Sequence, residues 1–412
     1  MTITKIEAEN FRAFKSLKAE FKRPFTILCG GNGSGKSSIL YAIAHGLVLS
    51  GNESGLTEEC QLRLSFTNRD EQEEESGFGK GSFELQAYQK SNRKTHAPYT
   101  DSEGIKTQLF VQDRYKSISP LFIGPNRSIS YKSIAGMTKE NDCDTSRQLC
   151  LSSAMAKLSN TSVPDIKQWM VNRYFTLGKG WAATEEANWN LVMSKLDILT
   201  EAGVDFKFND IQRDLEPSFF VNGKKTYLEE LSSGFKSVLA MVFSIVEWIE
   251  QTNENEEASI TVAKGTVLID EIDAHLHPSW QLRIKGILQE LFPNIQFIVT
   301  THSPHVISSA GAGEVGILEN HDGHLTVNFV DKDITTWKTD YIYSDIMDFE
   351  PVSNSKLAEY VDVIEDKIDQ GDMAGALEVL EEYAEKAHSE DFTPKALKRQ
   401  IEKLQKRMAA DD

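Results

Sequence analysis

The stretch Gly30-Gly31-Asn32-Gly33-Ser34-Gly35-Lys36-Ser37 constrains this chain more than any other. It fits the pattern G-x-x-x-x-G-K-[ST]. The apolar run Phe25–Cys29 precedes it, and Ile39, Leu40, Ile43, Ala44 and Leu47 follow at helical spacing, so the context reads strand, loop, helix. Glycines let backbone N–H groups turn inward around a phosphate, and a helix N-terminus adds a favourable dipole field. In such a loop Lys36 places a cation on the β- and γ-phosphates, and the Ser37 hydroxyl ligates Mg²⁺. Gly30, Asn32, Gly33, Ser34, Gly35, Lys36, Ser37 and Ser38 are therefore candidate ATP-binding residues.

Three further segments carry chemistry. Thr266–Ile269 reads as a buried strand that runs into Asp270 and Glu271, and two acids there are costly unless they face a site at the strand end. Asp270 would join Ser37 on Mg²⁺, and Glu271 would polarise an attacking water. Thr300-Thr301-His302-Ser303-Pro304 follows another apolar strand, where His302 can report a γ-phosphate by hydrogen bonding. Ser232, Ser233 and Gly234 open a helix, a place suited either to an anion or to an ordinary N-cap.

Taken in order, these segments resemble the nucleotide-binding domain of the ABC ATPase superfamily, in its SMC/RecF/Rad50/OLD branch. The opening Ile3–Phe14 is similar to the first strand and turn of that branch, and Asn32–Leu40 to its phosphate loop. The resemblance implies that Ser232, Ser233 and Gly234 form a signature motif completing the site on a second copy. It also makes Asp270 and Glu271 the Walker B pair, Asp273–His277 the D-loop region and His302 the switch histidine. Lys36, Glu271 and His302 are then the catalytic candidates, and Ser37 and Asp270 the metal ligands. Ser233 stands where many members have glycine, and Gln86 and Gln112 compete for the Q-loop. The compact middle, the His275–Pro278 segment and the helical tail resemble ATPases of Septu and retron-linked antiphage systems. That implies an effector partner such as an HNH nuclease.

The expected fold is α/β: an ABC-type P-loop NTPase with a mixed sheet, an antiparallel β subdomain, a helical insert and a C-terminal helical module. Strands alternating with helices indicate parallel pairing with ligands at the strand C-termini. Residues 1–330 form the expected ATPase domain, with an insert at about 61–215, and 331–412 a module for partner binding or oligomerisation. Gln61–Phe66, Ser82–Gln89 and Gln108–Val111 look like antiparallel strands, Ser146–Leu199 like helices, and Pro278–Phe292 like one helix using Leu282 as an apolar position. No sustained heptad supports a long coiled-coil arm. The acidic runs Asp70–Glu75 and Glu254–Glu257 read as solvated loops.

A net charge of −18 over 412 residues argues against nonspecific coating of DNA. DNA contact is left to a partner or to local basic segments; Lys80, Lys90, Arg93 and Lys94 read first as a solvated face, and the last helix from Lys395 to Arg407 reads as a protein contact. Four scattered cysteines without CxxC spacing, and an N-terminus lacking an apolar h-region, point to a cytoplasmic protein with no membrane partner. His275, His277, His302 and His305 are better explained by loops around a nucleotide than by a transition metal, and Arg127 reads as a surface arginine. The reading is an ATPase that pairs head to tail, as a dimer or higher oligomer, around ATP and Mg²⁺. A non-hydrolysing nucleotide sensor and a DNA repair ATPase are the alternatives.

Overall fold

The computed structural model describes residues 2–47, 56–78, 99–100, 106–107, 118–200, 203–347, 355–387 and 393–411. The chain divides into two units, Met1–Ile342 and Tyr343–Asp412, so the division falls after Ile342 rather than after residue 330.

The first unit is built on a ten-stranded sheet. Its strands are β1 (Thr2–Phe11), β2 (Phe14–Glu20), β3 (Phe25–Cys29), β4 (Leu56–Thr67) and β5 (Glu73–Phe78), then, after the two-residue strands β6 (Tyr99–Thr100) and β7 (Lys106–Thr107), β8 (Leu121–Ile123). The small strands β9 (Phe206–Ile211), β10 (Pro217–Val221) and β11 (Lys224–Tyr227) form a separate antiparallel sheet. The large sheet resumes with β12 (Gly265–Ile269), β13 (Ile295–Thr300), β14 (Val315–His321) and β15 (His324–Phe329), in the order β5-β4-β1-β2-β15-β14-β3-β13-β12-β8. The pairs β14–β3, β3–β13, β13–β12, β12–β8 and β2–β15 are parallel, while β5–β4, β4–β1, β1–β2 and β15–β14 are antiparallel. β3, β12 and β13 are buried along their whole length, as both-face coverage by helices requires.

Local physics accounts for several departures from the expected elements. Ile3 and Ile6 are both buried although three residues apart, because the pairing of β1 with β4 shifts between Ile3 and Lys5 and leaves Thr4 as an extra residue. The acidic run Asp70–Glu75 is a turn only at its start; Glu73–Glu75 belong to β5, the edge of the sheet, where charge discourages pairing with another chain. Pro278–Phe292 is two helices, Pro278–Gln281 and Ile284–Leu291, and Leu282 at the break is 48% exposed. The break frees Arg283 to donate to the carbonyls of Thr200 (2.6 Å) and Ile198 (3.1 Å). Gln61–Phe66 lies in β4, whereas Ser82–Gln89, Gln108–Val111, Gln86, Gln112, Lys80, Lys90, Arg93 and Lys94 lie outside the described residues.

Helices Cys143–Ser152, Ala154–Leu158, Ile166–Thr176 and Ala183–Ser194 make up the insert. Its core holds a charge: Arg173 Nη2 meets Glu250 Oε2 at 2.8 Å, and Trp169 and Asn188 also donate to the Glu250 carboxylate. Burial pushes the Glu250 carboxyl up to about 7 despite the neighbouring Arg173.

The second unit is helical. Ile364, Ala376, Leu380, Tyr383, Leu397 and Ile401 form its core, drawn from helices Ser355–Asp369, Met373–Lys386 and Thr393–Asp411. Gly371, at φ +79°, makes the turn between the first two, and Asp372 caps the second by accepting from Gly375 N at 2.9 Å. Leu397 and Ile401 face inward while Lys398, Arg399 and Lys403 are exposed.

Candidate functional site

The phosphate loop connects β3 to the helix Lys36–Leu47. Gly30, Gly33 and Gly35 have φ of +148°, +76° and +106°, conformations that glycine adopts without steric cost. Gly35 is doubly constrained, because a Cβ there would lie 2.6 Å from Phe14 Cζ and 2.9 Å from Leu325 Cδ2. Lys36 is 6% exposed and its Nζ donates to the carbonyls of Gly30 and Gly31, both at 2.9 Å, inside the curl of the loop. Burial holds the Lys36 ammonium below its ordinary pKa, against the pull of Asp270, Glu271 and Asp273.

Because β3, β13 and β12 are adjacent and parallel, their C-terminal ends deliver the other groups to the same edge. Ser37 Oγ donates to Asp270 Oδ1 at 3.0 Å. The Thr300 hydroxyl, at the end of β13, donates to the same Asp270 oxygen and accepts from Glu271 N at 2.8 Å. Glu271 has φ +49°, uncommon for a residue with a Cβ, and its side chain is exposed. Thr301 Oγ1 donates to Asp273 Oδ1, which also accepts from His302 N at 3.3 Å. His302 is half-buried; burial and then the charge of Lys36 keep its imidazole below the usual pKa, so it is neutral at pH 7.

The set Ser37, Asp270 and Lys36 fits a nucleotide with a hard cation. A hydroxyl and a carboxylate from different elements meet where oxygen ligands for Mg²⁺ are needed, beside a cation suited to phosphate. The Ser34 hydroxyl, buried in the loop without a hydrogen-bond partner, adds an unused polar group on the same side. Among the described residues no cluster of three or more His, Cys, Asp or Glu side chains forms a separate metal site.

The turn Ser232–Gly234 has other partners. Ser232 caps the helix Ser233–Thr252 by accepting from Phe235 N at 3.4 Å. Ser233 is the first residue of that helix and is exposed, and Gly234 packs against Trp280 of the helix Pro278–Gln281. Within one chain this turn is thus built onto the segment after Asp273–His277, while Ser37, Asp270, Glu271 and His302 gather around the phosphate loop.

Arg127 departs most from its expected place. It is 1% exposed, not a surface arginine. Nε donates to Ser237 Oγ at 3.0 Å, Nη1 to the carbonyls of Gly124 and Asp270 at 3.3 Å each, and Nη2 to those of Glu271 (2.6 Å) and Ala274 (3.4 Å). Burial lowers its pKa to about 10, which leaves it a cation at neutral pH. The clue in the sequence was positional: the turn Gly124-Pro125-Asn126 follows a buried strand, as the other motifs do. Thr300 lies inside a segment that the sequence singles out, and Ser237 three residues past Gly234, neither with a role of its own there.

The sequence matches the RecF/RecN/SMC N terminal domain over residues 2–326. It is 24% identical to the Septu protein PtuA of Bacillus thuringiensis over 392 residues, 90% of each chain. A 114-residue stretch is 39% identical to the Retron Ec83 probable ATPase of Escherichia coli, covering 28% of this chain and 21% of that protein. Among solved structures, the SMC head domain from Thermotoga maritima is similar at 16% identity and a TM-score of 0.41, covering 80% of this chain and 99% of that one. No helix among the described residues is long and apolar enough to cross a membrane. With four fifths of its residues inside that match and the phosphate loop at the head of a mixed α/β sheet, the chain belongs to the RecF/RecN/SMC N-terminal domain family of ABC-type, SMC-like ATPases.

Proposed function

We propose that this chain binds ATP with Mg²⁺ between the phosphate loop of one copy and the Ser232–Gly234 turn of a second. It hydrolyses that ATP, and through the cycle of pairing and release controls an effector protein, a nuclease in antiphage defence. Gly30, Asn32, Gly33, Ser34, Gly35 and Ser38 line the phosphates through backbone and hydroxyl groups, and Lys36 neutralises their charge. Bound Mg²⁺ supplies further charge neutralisation, held by Ser37 and Asp270. Glu271 orients and polarises the water, and neutral His302 donates a hydrogen bond toward the γ-phosphate. Ser232, Ser233 and Gly234 of the second copy close the site with a helix N-terminus.

The observation that carries this reading is the meeting of Ser37 with Asp270 at 3.0 Å beside the buried Lys36. Similarity to PtuA over nine tenths of both chains supports the defence role, and the charge of −18 favours a protein partner over bare DNA. The helical second unit, Tyr343–Asp412, is the proposed partner or oligomer contact.

Steady-state phosphate release and nucleotide binding test it together. Lys36→Ala abolishes binding, whereas Glu271→Gln binds ATP and releases no phosphate. Equal, near-zero release from wild type and Glu271→Gln makes the protein a sensor that only binds. Stimulation by DNA that collapses with added salt makes it a repair ATPase. Ser232→Cys crosslinks to the facing phosphate loop only if the copies pair head to tail.

A further inference from the structure

Arg127 has five N–H donors, and each has an acceptor. Three are main-chain carbonyls of one segment, those of Asp270, Glu271 and Ala274. One is the carbonyl of Gly124 in its own turn, and one is Ser237 Oγ on the helix that begins with Ser233. The Ser237 hydroxyl in turn donates to the Ala274 carbonyl at 3.2 Å, so Arg127, Ser237 and Ala274 close a ring of hydrogen bonds. Both side chains are 1% exposed, so water does not compete for these bonds.

The geometry at Glu271 needs such a hold. Its left-handed backbone costs energy and persists only where neighbours over-determine it. Two side chains do so: Thr300 takes its N–H and Arg127 its carbonyl. Arg127 therefore fixes the main chain from which the Glu271 carboxylate projects, and the same guanidinium grips the helix headed by Ser232 and Gly234.

We infer that Arg127 is a positioning residue that locks the Asp270–Ala274 turn to the Ser233–Thr252 helix, so that the acid serving a protomer's own nucleotide and the helix end serving its partner's move as one body. This rests on the proposed two-copy site and deepens it. Arg127 touches no reacting atom; its effect passes through the backbone of Glu271 and the hydroxyl of Ser237. The arrangement makes the two sites of a pair interdependent, since a shift of one protomer's helix end displaces its own Glu271.

The test uses the full chain with Arg127→Lys and Ser237→Ala, the second of which keeps every carbonyl bond of Arg127 and is the milder change. Phosphate release is measured against ATP concentration, and nucleotide affinity is measured separately with a fluorescent ATP analogue. The expected result is a fall in kcat of about 10–100-fold in Arg127→Lys, the scale of a misplaced catalytic group, with analogue affinity within about threefold of wild type. Ser237→Ala lowers the Hill coefficient toward one while keeping that affinity. Unchanged kcat and cooperativity in both variants, or affinity falling in parallel with kcat, overturns the assignment. Amide exchange gives a readout independent of turnover: Ser237→Ala raises exchange at 271–274 about tenfold and leaves the helix 36–47 unchanged. Unchanged exchange at 271–274 overturns the lock even if the protein proves not to hydrolyse ATP. A wild type that neither pairs nor turns over sinks the two-copy reading instead.

Discussion

Gly234 lies against the Trp280 ring: a Cβ added there would fall 2.0 Å from Trp280 Cζ3. The indole has no room to retreat, being 4% exposed and edge-on to Phe235 with ring centroids 5.1 Å apart. Within one chain the glycine is therefore required by an aromatic ring, whatever it faces in a second copy. Gly234→Ala is expected to cost about 1–3 kcal/mol through overpacking. Chemical denaturation measures it, and Gly234→Ala/Trp280→Leu should recover most of the loss. A double variant as unstable as the single would place the strain elsewhere.

Thr300 bridges the two acids of the site, donating to the Asp270 carboxylate and accepting from Glu271 N. Thr300→Val keeps the shape and leaves two buried polar groups short of a partner, a cost of about 1–3 kcal/mol. Thr300→Ser restores the hydroxyl and should recover stability. Equal melting temperatures for the valine and serine variants would contradict the bridge.

His302 is kept below its usual pKa by burial first and by Lys36 second. Its imidazole is expected to titrate below pH 6.5, the ordinary value, when followed by nitrogen NMR. Removing a neighbouring cation favours the protonated form, so Lys36→Met should raise that pKa. A downward or absent shift would mean that the two groups do not sense one another.

Arg173 and Glu250 are 2% and 1% exposed at their side chains. Removing only the cation leaves a buried carboxylate uncompensated, and Arg173→Met is expected to destabilise by about 3–5 kcal/mol at pH 8. Arg173 lowers the Glu250 pKa, so its removal carries that pKa above about 7; the loss should shrink as pH falls toward 7 and the variant's carboxyl takes up a proton, and stay level below it. Adding Glu250→Gln should recover much of the loss at pH 8. Urea titrations at pH 8 and pH 5.5 distinguish these outcomes.

The parts legible in the sequence are those whose physics is local. Glycines at Gly30, Gly33 and Gly35 mark a turn whatever surrounds it, and apolar runs such as Ile295–Thr300 announce buried strands directly. The parts that were not legible depend on distant partners. Arg127 is separated by 144 positions from the Glu271 carbonyl it holds, and no periodicity marks such a pair. Leu282 fits a helical stripe, yet the stripe breaks at Leu282 and Arg283, where Arg283 donates to the carbonyls of Ile198 and Thr200. Thr4 carries no bulge signal of its own; the extra residue exists only relative to β4.

The floor beneath Gly35 has a mechanical implication. Phe14 opens β2 and Leu325 lies in β15, two strands paired with each other in parallel. A tilt of that strand pair would press on the loop through direct atomic contact, one residue from Lys36. The β2–β15 pair is therefore a lever under the phosphate loop, and a ligand bound to its far side would have a short path by which to loosen or tighten the grip.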